Sequence, residues 1–109
     1  MTTPLFRSDG TYWGFLAGDR VYDRYGRDVG WLEGTDVYHR SGRFMGELVH
    51  RHYVLRNMLR SEPIHREPRP PVPYSTPPAP PPNRGARDPL DDWNDALPWP
   101  LSPPEPPRL

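Results

Sequence analysis

The sequence predicts an all-β fold: a small, closed, shallow barrel of four β-hairpin repeats with pseudo-four-fold symmetry, followed by a disordered proline-rich tail. Three observations carry this. Eight of the nine glycines fall on three tracks with a sixteen-residue step. The runs between them are short and rich in aromatic and branched residues, as strands prefer. Of the 18 prolines, 17 lie from Pro63 onward, which marks a boundary. Proline removes a ladder donor and fixes φ, so that rear half is poor material for a packed sheet.

The tracks are Gly10, Gly26 and Gly42; Gly14, Gly30 and Gly46; and Gly18 and Gly34, with His50 third. Leu16, Leu32 and Leu48 keep the same step, as do Arg24, Arg40 and Arg56. Val21 and Val37 align with Tyr53, and Tyr22 and Tyr38 with Val54. Repetition of this quality is read before anything else. Asp9-Gly10, Tyr25-Gly26 and Ser41-Gly42 place glycine where a tight turn needs positive φ. Ala17-Gly18-Asp19 and Glu33-Gly34-Thr35 supply the opposite turns. The strands between them include Tyr12 to Leu16 and Arg20 to Asp23. Glycines inside strands mark bends or close backbone approach, so Gly14, Gly30 and Gly46 suggest a sheet curling around an axis.

The ends extend the repeat. Leu5-Phe6 reads as the second strand of a unit whose first strand is missing, and Asn57 to Arg60 as a first strand without its second. Pairing them completes a fourth hairpin, closes the ring and hides the sheet edges.

On these residues (the glycine tracks, the aligned leucines and the Val-Tyr pairs at 21–22 and 37–38) the chain resembles the four-fold β-flower domains over about residues 4–65. The resemblance implies a shallow symmetric β-barrel with an apolar inner surface, a bacterial source, and lipid or membrane association by likeness to tubby-type lipid-binding barrels. The chain departs from strict repetition at His50 and Met58, in the third turn and the closing unit.

Composition bounds the function. A domain of this size buries about 60 % of its unfolded surface, so its core is marginal. There is no cysteine, hence no disulfide or thiolate zinc site. Net charge is zero, so neither half has the basic excess that nucleic acid demands. No apolar run reaches transmembrane length and no signal peptide is visible, which predicts a cytoplasmic protein, with peripheral membrane contact where lipid is the partner.

The repeat offers more apolar groups than one thin core hides. Alternation places Leu16, Leu32 and Leu48 on one face and Trp13, Phe15, Val29, Trp31 and Met45 on the other, where they form a candidate apolar or lipid-contacting surface. The alternatives are that a shallow barrel packs both sets, or that the patch is a homo-oligomer seam. Arg24, Arg40 and Arg56 are candidate contacts for anionic headgroups, each worth about 1 kcal/mol near such a surface, against an ordinary solvated role. His50 and His52 lack a third zinc ligand. No nucleophile, phosphate loop or acid–base pair appears, so no enzyme activity, cofactor or metal is expected.

The rear divides into a proline-rich linker (66–87) and an acidic, tryptophan-bearing tail (88–109). Polyproline II or disorder is expected of the first. In the second, Asp88, Pro89, Asp91 and Asp92 suit a helix start, and Leu90, Trp93 and Leu97 line one face of a short helix over 89–97. With Trp99 they form a candidate docking motif, for a protein partner or for the chain's own barrel. Pro103 to Arg108 matches a proline-x-x-proline-x-arginine ligand. The leading expectation is a non-enzymatic binding module for a lipid, a membrane surface or another hydrophobic partner. The runner-up is an interaction adaptor in which the tail binds partners and the barrel is scaffold.

Overall fold

The computed structural model describes residues 2–70, 72–88 and 90–103. Its strands are β1 (Thr2–Phe6), β2 (Tyr12–Ala17), β3 (Arg20–Asp23), β4 (Asp28–Glu33), β5 (Asp36–His39), β6 (Phe44–Val49), β7 (Tyr53–Asn57) and β8 (Trp93–Asp95). Each pairs with the next in antiparallel fashion. β1 also meets β7 in parallel at Phe6 and Tyr53, where the Phe6 amide donates to the His52 carbonyl at 2.8 Å. That contact closes β1 to β7 into a barrel, with β8 as an added strand. Among the described residues there is no helix, and so none long and apolar enough to cross a membrane.

The glycines on the middle track mark bulges. The pairing passes from Leu5–Gly14 to Phe6–Tyr12, from Val21–Gly30 to Tyr22–Asp28, and from Val37–Gly46 to Tyr38–Phe44. One residue is skipped each time: Trp13, Val29 and Met45. A Cβ on Gly30 would stand 2.0 Å from the Tyr38 carbonyl oxygen, so the backbones approach where no side chain fits.

These bulges correct the expected division of faces. Each one reverses the inward–outward phase, as an extra residue in one strand must. Trp13, Val29 and Met45 therefore pack with Leu16, Leu32 and Leu48 in one core, around Leu5, Val21, Val37 and Val54. Phe15 and Trp31 belong to the opposite, outer side, where Phe15 stacks on Tyr22 at 5.1 Å and Trp31 on Tyr38 at 5.7 Å.

The third turn also departs from the sequence alignment. Ala17 pairs with Arg20 and Glu33 with Asp36 across two-residue turns, but Val49 pairs with Tyr53 across three residues. His50 and Arg51 take φ of 50° and 68° there in place of glycine. The extra residue makes Val54, not Tyr53, the counterpart of Val21 and Val37: Leu48 pairs with Val54 as Leu16 does with Val21.

The fourth hairpin is built differently from expectation. Asn57 ends β7, and Met58 to Arg60 form a turn, not the strand expected over 57–60. β8 takes that place, pairing Asn57 with Trp93 and Leu55 with Asp95. Residues 93–95 are thus a strand where a short helix over 89–97 was expected. A helix of two turns is marginal by itself, whereas the free edge of β7 offers ladder partners. Leu97 then enters the core, with Ala96 and Leu101 packed against it. Pro89, expected at the helix start, and residues 104–108 of the proline-x-x-proline-x-arginine match lie outside the described residues.

Candidate functional site

The outer face of the barrel is an aromatic surface, and the tail lies along it. From 61 to 92 the described tail has no strand or helix, yet its amides find acceptors on the barrel's turns. Arg66 donates to the Gly42 carbonyl at 2.8 Å, Ser75 to Gly26 at 3.0 Å and Arg84 to Gly10 at 2.8 Å. The step along the tail is nine residues; the step along the barrel is sixteen, run backwards. Three residues further on, Arg69 donates to the Arg40 carbonyl and Arg87 to that of Ser8. The middle counterpart is Pro78, which has no donor.

Arginine side chains cover the rings beside these points. Arg66 lies 5.1 Å over Tyr38, Arg69 4.2 Å over Trp31, Arg84 4.2 Å over Phe6 and Arg87 4.7 Å over Tyr53. A planar, weakly hydrated guanidinium suits this stacking as an ammonium does not. Arg66 also reaches Glu33 at 3.0 Å, and its guanidinium holds that carboxyl below its usual range. Asp95 fixes the far end of the tail, accepting from the Ser8 amide at 2.9 Å and the Ser8 hydroxyl at 2.6 Å.

The expected site residues are dispersed by this arrangement. Trp13, Phe15 and Trp31 are fully buried, and Val29 and Met45 are half-buried against the core. Arg24 lies over Tyr12, Arg56 over Phe44 and within 3.4 Å of Glu62, and Arg40 is exposed. Of the tail motif, Leu97 is buried in the core and Trp93 packs on the cluster of Phe6, Tyr12, Tyr53 and Leu55. Leu90 and Trp99 remain 37 % and 43 % exposed. His52 donates to the Pro4 carbonyl at 2.8 Å, while the His50 ring accepts from Arg87 at 3.0 Å, so the two histidines serve different neighbours. Among the described residues no group of three His, Cys, Asp or Glu side chains is placed to hold a metal.

A family model described as 4-fold beta flower protein matches residues 3–107. The chain belongs to this family. The β-flower match runs past the hairpin repeat and through the tail, in keeping with a tail whose Leu97 and β8 complete the barrel. No curated protein and no solved structure matches the chain.

Sequence reasoning missed the arginines that tie the β-flower barrel to its tail. A signal exists: Arg66-x-x-Arg69 recurs eighteen residues later as Arg84-x-x-Arg87, with Ser75 midway. It is faint because the donors are backbone amides, which any residue but proline supplies. A cleft on the tail's path was equally invisible. It has a volume of about 550 Å³ and lies between the barrel and Val72, Pro73 and Tyr74 of the tail, with Arg27, Asp28 and Arg40 on the barrel side.

Proposed function

We propose that the protein is a non-enzymatic interaction module in which the aromatic barrel face presents the proline-rich tail, as an extended ligand, to a protein partner. The observation that carries this is the pinning of Arg66, Ser75 and Arg84 at equal intervals on the turn carbonyls. Pinning removes ordering entropy that a free extended ligand would lose on binding. Two large apolar groups of the tail stay exposed: Tyr74 is 66 % exposed and Trp99 43 %. The test is crosslinked partner capture in cells by the full chain, compared with Tyr74→Ala and Trp99→Ala together. The expected result is a specific partner whose recovery falls several-fold in the double variant; unchanged recovery sinks the reading.

A second reading, a lipid or membrane surface as partner, is supported by Leu16, Leu32 and Leu48. They repeat at the strand ends beside the Gly18, Gly34 and His50 turns and are only half-buried. On this reading the full chain floats with phosphatidylglycerol vesicles and Leu32→Glu abolishes flotation. Failure of the unaltered chain to float removes it.

A further inference from the structure

We infer that the cleft at Asp28 is a binding site for a small planar ring that carries a hydrogen-bond donor. The argument starts from the broken repeat. Tyr12, Asp28 and Phe44 are sixteen apart and occupy equivalent positions, paired across the strands with Phe6, Tyr22 and Tyr38. In the two outer units that pair is aromatic and edge-to-face: Phe6–Tyr12 at 5.9 Å and 68°, Tyr38–Phe44 at 5.8 Å and 70°. In the middle unit a carboxylate stands in place of the ring. There a cleft of about 550 Å³ opens, within the usual range for small-molecule sites.

Asp28 is not merely a solvated substitute. Its side chain is fully buried. Oδ2 accepts from the Val72 amide at 3.0 Å and from Arg20 at 3.3 Å. Oδ1 is buried and has no donor among the described residues. A buried carboxylate oxygen left without a donor is costly, and a bound group supplying an O–H or N–H would remove that cost. An aromatic ring fills this place in the other two units, so a planar ring is the shape that a ligand beside Asp28 would supply. Arg40 lines the cleft, is exposed, and makes no ion pair among the described residues. It suits an acidic substituent on the ring's far side. The tail supplies the remaining wall through Val72, Pro73 and Tyr74.

The test is an amide NMR titration of the full chain with 4-aminobenzoate, and with 4-methylbenzoate as the probe of like shape that lacks the donor. Saturable shifts of the Val72 and Tyr74 amides by 4-aminobenzoate are expected. Affinity for the methyl compound should be at least about tenfold lower, the worth of one hydrogen bond to a charged acceptor. Asp28→Tyr should fill the cleft and abolish the shifts while the barrel amides keep their dispersion. Arg40→Gln, at an exposed position, should weaken both benzoates alike. Equal affinity for the two probes overturns the inference. So does the absence of saturable shifts at Val72 and Tyr74 in the unaltered chain.

Discussion

The amide of Arg66 donates to the carbonyl of Gly42 at 2.8 Å, and a Cβ on Gly42 would stand 1.8 Å from the Arg66 carbonyl oxygen. One glycine thus serves the turn and the tail together. Gly34 has φ of +61° and nothing near its missing Cβ, so it isolates the turn alone. Gly34→Ala should cost about 1 kcal/mol of backbone strain. Gly42→Ala should cost about 2 kcal/mol or more, the excess coming from the displaced tail. Urea unfolding measures both costs. Hydrogen exchange at the Arg66 amide should accelerate in Gly42→Ala and not in Gly34→Ala.

Trp13 Nε1 donates to the Pro98 carbonyl at 2.8 Å, so a core residue of the barrel holds the tail directly. Trp13→Phe keeps most of the packing and loses the donor. A loss of about 1–2 kcal/mol is expected by urea unfolding.

Leu97 is 5 % exposed and Leu90 is 37 % exposed, seven residues apart in the same tail. Leu97→Ala should cost about 2–4 kcal/mol, because it opens a cavity in the barrel core. Leu90→Ala should stay within about 0.5 kcal/mol. Equal effects in thermal unfolding would mean that Leu97 does not complete the core.

His39 makes stability depend on pH. Its ring Nδ1 accepts from the Ser41 amide at 3.1 Å, a role that requires the neutral form. Burial, then the Arg40 charge, holds its pKa below the ordinary 6.5. In the unfolded chain the ring binds a proton near 6.5, while in the folded chain it resists until lower pH. Stability should therefore fall as pH drops from 6.5 towards the lower folded value. Asn57 Oδ1 plays the same part in its own turn, accepting from Leu59 at 3.0 Å. His39→Asn should keep the turn and flatten this dependence in urea unfolding at pH 7.5 and pH 5.

Much of the barrel was legible because its signals are local. Turn glycines such as Gly18 and Gly34 state their φ requirement in the residue itself, and the sixteen-residue step counts the units. The placing of Trp13 and Phe15 was not legible, because one bulge between them reverses the phase and nothing in a two-residue alternation announces it. The third unit failed for a related reason: His50 marked a departure in the turn, but His50 and Arg51 adopt positive φ without glycine, so the sequence did not show that a residue is inserted there. The Asp28 cleft was hidden because its meaning comes from the rings that fill the same place in the other units.

Residue type and spacing determined the hairpin repeat, the number of units and the family, whereas the boundary expected at Pro63 does not end the barrel, which takes β8 and Leu97 from beyond it. Only the tertiary structure decided that the fourth unit takes its strand from Trp93–Asp95, and that the tail lies on the aromatic face. Those contacts join residues tens of positions apart through backbone amides and carbonyls. Every residue carries the carbonyl and all but proline the amide, so composition cannot say which of them meet.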